Sequence, residues 1–226
     1  MRFLIAGAGA IGGYIGGCMA RAGEDVTLFA RGPHLRAIEE RGLRIIYSGG
    51  DGAASDFEVR PNVIGSLAGS GAFDTIFLGV KAHGLVQLAP HLKPLIGQHT
   101  TVVSLQNGVP WWFCPLESVD PGGVIGASID PARVVGSIVY LGTEIVEPGV
   151  IRHTEGNRIS LGEPDGTRSE RCRIIAEALI KSDQLRGKVH QRQATAIAGR
   201  ASGSSGKHRR TCVRDRLPRG PRRRSG

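Results

Sequence analysis

The stretch FLIAGAGAIGGYIGGCMARAGEDVTLFAR, running from Phe3 to Arg31, decides the fold. Phe3–Ala6 is a short apolar run of the buried-strand type, closed at once by Gly7. Ala10–Ala22 is made of small and apolar residues and suits a tightly packed helix, with Arg21 and Gly23 as a C-terminal cation and stop. Asp25–Ala30 reads as a second strand. Between the first strand and the helix stands Gly7-Ala8-Gly9-Ala10-Ile11-Gly12, a G-x-G-x-x-G spacing in the strand–turn–helix context that gives it meaning. Gly7 permits the tight turn, Gly9 lets backbone approach a pyrophosphate, and Gly12 lets the helix pack close to the strand. The helix N-terminus then offers N–H groups and a positive dipole end to phosphates. An NAD site would place Asp or Glu at the end of the second strand for the ribose 2′-hydroxyl. This sequence places Arg31 there, and a guanidinium suits a 2′-phosphate. The expected cofactor is therefore NADP.

Outward from this stretch, strands and helices continue to alternate. Leu35–Arg41 is a short helix, and Leu43–Tyr47 and Phe57–Arg60 read as a strand pair. Thr75–Val80 and Thr100–Leu105 are apolar strands flanking a helical Leu85–Leu95. Val134–Leu141 is a further strand. Glu144–Leu161 reads as an antiparallel meander with turns at Pro148-Gly149 and Glu155-Gly156, and Arg168–Lys181 has helical periodicity. The expected architecture is α/β, a Rossmann-like doubly wound sheet. Ligands in such sheets sit at the carboxyl ends of strands. Lys81 follows Thr75–Val80 and Asn107 follows Thr100–Leu105, so both emerge at that rim. Lys81 suits a phosphate or carboxylate, and Asn107 can donate and accept at once, to a nicotinamide ribose or a substrate oxygen. A snorkelling Lys and a turn-forming Asn-Gly pair are the bland alternatives.

The composition narrows the class. Gly accounts for 34 of 226 residues, aromatic residues for 5%. No apolar run reaches the roughly 20 residues of a membrane span, so no membrane partner is expected. The four cysteines, Cys18, Cys114, Cys172 and Cys212, have no paired spacing, which argues against a disulfide scaffold or zinc module and fits a reducing cytoplasm. Charge is unevenly spread. Residues 1–180 hold 15 Lys/Arg against 18 Asp/Glu, whereas residues 181–226 hold 14 against 2. Residues 201–226 contain four apolar residues, too few to offset ordering entropy, and are expected to be a disordered basic tail. The tail lacks aromatic interleaving, zinc spacing and amphipathic pattern, so specific nucleic-acid binding is not expected.

The set Gly7–Gly12, Arg31, Val80-Lys81-Ala82, Gln106-Asn107-Gly108 and Val146-Glu147-Pro148-Gly149 resembles the ketopantoate reductase (2-dehydropantoate 2-reductase) family over residues 1–185. The resemblance implies NADPH-dependent reduction of a small 2-oxo acid, ketopantoate, to pantoate on the route to pantothenate. It implies that Arg31 binds the 2′-phosphate, Lys81 the cofactor, and Asn107 both cofactor and substrate. The strand end near Gly142 would lie beside the nicotinamide.

Family members continue into a helical second domain whose first long helix carries the general acid in Trp-x-Lys-Leu. Here Leu185-Arg186 resembles the entrance to that helix, and the family spacing from this Arg lands on Gln193 instead of Lys. The division expected is 1–165 for the NADP-binding domain, 166–200 for the start of a truncated helical C-terminal region, and 201–226 for the tail. Loss of the acid implies impaired turnover. The alternative left open is an inactive NADP-binding module whose tail binds polyanions non-specifically. The abrupt change after about residue 186 also fits out-of-frame translation of a GC-rich gene. The sequence does not fix an oligomeric state.

Overall fold

The computed structural model describes residues 1–48, 55–113 and 116–189. The expected tail and Gln193 lie outside the described residues. The first strand, β1 (Arg2–Ala6), is fully buried from Phe3 on and alternates between two cores: Phe3 and Ile5 face one, Leu4 and Ala6 the other. It is followed by α1 (Ala10–Arg21), β2 (Asp25–Phe29), α2 (Gly32–Arg41), β3 (Leu43–Tyr47), β4 (Phe57–Val59) and β5 (Asn62–Ile64). The chain then crosses to β6 (Phe73–Leu78), α3 (Ala82–Leu92), β7 (Ile96–Ser104), α4 (Val124–Ser128), β8 (Val134–Glu147), β9 (Val150–Gly162), α5 (Glu170–Ile180) and β10 (Arg186–Val189).

The strands β5, β2, β1, β6, β7 and β8 lie side by side in that order, all parallel. This is the doubly wound order, with the chain winding outward from β1 in one direction and then from β6 in the other. Helices α1 and α5 cover one face through Tyr14, Ile15, Met19, Ile175 and Leu179, and α3 and α4 cover the other through Leu85, Leu88, Leu92 and Ile125. Beyond β8 the sheet turns antiparallel at β9. It then gains β3 alongside residues Val150–His153 and β10 alongside Arg158–Leu161.

These added strands curl the sheet around α1, which explains that helix's composition. Gly12, Gly13, Gly16 and Gly17 are all buried. A Cβ on Gly13 would stand 2.4 Å from Ile151 on β9, and one on Gly16 2.5 Å from Leu28 on β2. One on Gly17 would stand 3.1 Å from Leu43 on β3. The helix is thus walled by strands from both halves of the sheet. Cys18 is buried among the same residues, and Cys172 lies in the same core on α5.

Several expectations are corrected. Glu155-Gly156 is not a turn: β9 runs through it, and the pairing slips from Gly142↔Glu155 to Tyr140↔Arg158 as a bulge, with Gly156 at φ +72°. Likewise β8 does not end near Gly142 but continues to Glu147. Leu185-Arg186 does not open a helix. Arg186–Val189 pairs parallel with β9, and a Cβ on Gly187 would stand 2.8 Å from the Ala176 carbonyl, so the segment packs too closely beneath α5 for a helical cylinder. Helix α5 itself packs into the first core through Cys172, Ile175 and Leu179. Its N-terminus is fixed by Ser169, whose hydroxyl accepts from Cys172 N–H, and by a bidentate Arg171–Glu163 pair on a nearly buried carboxylate. Strand β5 was not legible, being three residues behind Pro61.

The hairpin tip Pro148-Gly149 docks on α2. Gly149 N–H donates to His34 Nδ1 at 3.0 Å, Arg44 N–H donates to the Gly149 carbonyl at 2.9 Å, and Arg41 reaches the Pro148 carbonyl at 3.3 Å. His34 is therefore neutral with its proton on Nε2, and burial holds its pKa below the usual histidine value.

Two outcomes follow from this packing. Gly16→Ala places a methyl between Leu28 and Ile5 and is expected to cost about 1–3 kcal/mol by overpacking, read as a lower urea midpoint. For His34, the folded pKa lies below the unfolded one, so the unfolded chain binds more protons in between. Stability should therefore be full above about pH 6.5 and fall as the pH drops from there toward the folded pKa. Urea titrations across that window on the parent and on His34→Asn, which keeps an acceptor, should show a shallower decline in the variant; equal slopes would refute the assignment.

Candidate functional site

Four loops leave neighbouring strands at one edge of the sheet. Arg31 follows β2, Gly7 follows β1, Lys81 follows β6 and Asn107 follows β7. The lateral order β2-β1-β6-β7 thus becomes an order of groups: cation, glycine loop, cation, amide. Three strand spacings separate the ends, roughly 14 Å, comparable to an extended dinucleotide. The chain's winding reverses between β1 and β6, which is where open sheets of this kind leave a crevice.

The loop is held by backbone alone. Gly7 sits at φ +111°, and its N–H donates to the Ile5 carbonyl at 2.9 Å. Ala8 N–H donates to the Phe29 carbonyl at 2.8 Å, tying the loop to the end of β2. A Cβ on Gly12 would stand 2.3 Å from the Gly7 carbonyl oxygen, so only glycine permits this approach. Gly9 differs from both. It is the N-cap of α1 at φ −72°, it makes no side-chain cap, and a Cβ there would meet nothing within 4 Å. Open space thus lies over a helix N-terminus whose first turn carries no acid, with Ala10 and Ile11 partly exposed beside it. That cradle fits a pyrophosphate, whose charge the free N–H groups and the dipole would favour.

Arg31 is the exposed N-cap of α2, with its guanidinium 5.1 Å from the centre of the Phe29 ring. Lys81 is the exposed N-cap of α3. Among the described residues neither forms an ion pair, and neither helix carries an acid in its first turn. Both charges are therefore free for an anion. Asn107 is exposed and clasps the Val139 backbone on β8, donating Nδ2–H to its carbonyl and accepting its N–H on Oδ1, each at 3.3 Å. One proton on Nδ2 and one lone pair on Oδ1 remain available. Beside it Ala82, Leu85, Val109, Trp111, Val119 and Ile125 line a small apolar depression. Trp111 and Trp112 are buried in the second core as packing residues.

Two contributors to the site have no role in the sequence reading, although Gln106 stands in its Gln106-Asn107-Gly108 motif. Gly79 closes the loop from the β6 side: a Cβ there would stand 2.3 Å from the Gly7 oxygen and 3.2 Å from Gly12 Cα. A glycine at the exit of an apolar strand is the signal that could have found it. Gln106 stands half-buried between Lys81 and Asn107; nothing in its spacing distinguishes a structural amide from a solvated one. Among the described residues no group of three or more His, Cys, Asp or Glu side chains forms a metal site, and no helix is long and apolar enough to cross a membrane.

The family model described as ketopantoate reductase PanE/ApbA matches residues 3–166. A 2-dehydropantoate 2-reductase of Mesorhizobium japonicum is 47% identical over 193 residues, covering 80% of this chain and 58% of that protein. A crystal structure assigned as a ketopantoate reductase of Ralstonia solanacearum MolK2 superposes with a TM-score of 0.80 at 37% identity, over 88% of this chain and 63% of the other. A D-mandelate dehydrogenase solved with NADH and anilino(oxo)acetate shares the fold, with a TM-score of 0.72 at 20% identity over 88% of this chain and 59% of that one. The chain thus spans about three fifths of the length of these relatives. The glycine loop, the strand-end residues and the family match from residue 3 to 166 together place the chain in the ketopantoate reductase PanE/ApbA family.

Proposed function

We propose that the chain binds a nicotinamide dinucleotide across the Gly7–Gly12 loop, prefers NADPH to NADH, and serves the reduction of a small 2-oxo acid, 2-dehydropantoate, to pantoate. The observation that carries this reading is the empty volume over Gly9 at the α1 N-terminus, flanked by two cations that form no ion pair among the described residues. The α1 N–H groups hold the pyrophosphate. Arg31 holds the 2′-phosphate, for which its planar, permanently charged guanidinium is suited. Lys81 adds charge on the opposite side, and the free donor and acceptor of Asn107 orient the nicotinamide ribose and the substrate oxygen. The dinucleotide, when bound, supplies hydride. The apolar depression beside Asn107 offers that end of the crevice an apolar wall.

Reduction also needs a proton donor for the ketone oxygen. The sequence carries no Trp-x-Lys-Leu, the motif in which the family resemblance puts the general acid, so we expect turnover by this chain to be low while cofactor binding persists.

Cofactor titration by fluorescence tests the binding reading, with NADPH expected to bind tighter than NADH. Arg31→Ala removes a charge-assisted contact of about 1.5–3 kcal/mol, so the preference should shrink tenfold to a hundredfold. Equal affinities in the parent chain would refute the NADPH assignment. Gly9→Ala should leave the unfolding free energy within about 1 kcal/mol of the parent, because its methyl meets no neighbour, yet weaken NADPH at least tenfold by filling the cradle. NADPH oxidation with 2-dehydropantoate at a rate typical of a reductase would show that a proton donor stands elsewhere in the chain.

A further inference from the structure

Gln106 makes three hydrogen bonds and uses its amide nitrogen completely. Nε2 donates to the Leu78 carbonyl at 3.0 Å and to the Val80 carbonyl at 2.9 Å, while Oε1 accepts from Ser104 Oγ–H at 2.8 Å. Rotating the amide by half a turn would set Oε1 against two carbonyl oxygens, so its orientation is determined. The two carbonyls bracket Gly79, whose N–H donates to Ala6 at 3.0 Å and whose Cα side presses on the Gly7 oxygen and on Gly12. Val80 in turn walls Gly7: a Cβ on Gly7 would stand 2.6 Å from Val80 Cγ1. The next residue is Lys81, and the residue after Gln106 is Asn107, itself clasped to β8.

One half-buried side chain therefore joins the exits of β6 and β7 and backs the wall of the glycine loop. We infer that Gln106 is a positioning residue that sets Lys81 and Asn107 against the loop, so that the nicotinamide half of the dinucleotide is held in register with the pyrophosphate. This rests on the dinucleotide reading given above. Gln106 touches no ligand in this assignment; it acts through the Gly79–Lys81 segment and through Asn107. The adenosine half, resting on Arg31 and the α1 N-terminus, is held by other contacts.

The test compares NADPH with adenosine 2′,5′-bisphosphate, which lacks the nicotinamide half, by calorimetric titration of the full chain. Gln106→Met keeps length and volume but removes all three bonds. It should weaken NADPH at least tenfold and change the bisphosphate less than threefold. Because the effect runs partly through Lys81, Gln106→Met should cost distinctly less in a Lys81→Ala background than in the parent. A loss equal for both ligands, or full additivity with Lys81→Ala together with unchanged NADPH binding in Gln106→Met, would overturn the inference and show a structural amide only. If Gln106→Met does not fold, Ser104→Ala, which deletes only the hydroxyl that holds Oε1, carries the same comparison, with a several-fold loss for NADPH alone supporting the inference and no selective loss refuting it. Failure of the parent chain to bind either ligand would overturn the dinucleotide reading itself, a result distinct from both.

Discussion

The carbonyl oxygen of Gly7 is crowded by two other glycines, and the geometry of the molecule radiates from that point. A Cβ on Gly12 or on Gly79 would stand 2.3 Å from it, far inside any tolerable contact. The three residues belong to the exit of β1, the first turn of α1 and the exit of β6. Their contact fixes how closely the first helix approaches the two central strands. It also fixes where the chain's two windings meet, since β1 and β6 are the strands between which the direction reverses. Adding a single methylene at this junction would push α1 away from β1 and open the enclosure made by β3, β8 and β9. The cradle over Gly9 exists because Gly7 and Gly12 of the same loop are packed too closely for a side chain while Gly9 is not.

Electrostatics at the same rim are one-sided. The helices that begin there, α1, α2 and α3, carry no acid in their first turns, and the N-caps of the last two are Arg31 and Lys81. Acids near helix N-termini ordinarily stabilise the dipole, so their absence from all three leaves the positive ends uncompensated and directed at the crevice. Elsewhere several arginines are engaged by acids: Arg171 with Glu163, Arg173 with Glu170 and Glu177, Arg152 with Glu144. The contrast marks the edge as prepared for an anion, in a part of the chain that carries a slight excess of acids.

Much of this was legible in the sequence, for identifiable reasons. The strand–glycine–helix opening can be read because each glycine sits at a fixed offset from an apolar run, and Arg31, Lys81 and Asn107 because each is the polar residue that follows such a run. The curl of the sheet was not legible. It depends on β3 finding β9 about a hundred residues later, and on a bulge at Glu155-Gly156 that looks in sequence like a turn. Strand β10 was missed because Arg186-Gly187-Lys188-Val189 has neither length nor apolar weight; its place is set by the narrow gap between β9 and α5. The motif Val146-Glu147-Pro148-Gly149 carries family likeness yet serves here as a hairpin tip seated on His34, Arg41 and Arg44.

The enclosure of α1 also governs the chemistry of its sulfur. Burial pushes the Cys18 thiol up to about 12 and the Cys172 thiol up to about 11, so at neutral pH both stay protonated. Both sulfurs lie where no reagent reaches them in the folded protein. Alkylation or oxidation at either position must wait for the layer of α1 and α5 to part from the sheet. The rate of labelling then counts openings of that layer, and the two cysteines become internal clocks for the part of the molecule that carries the glycine loop.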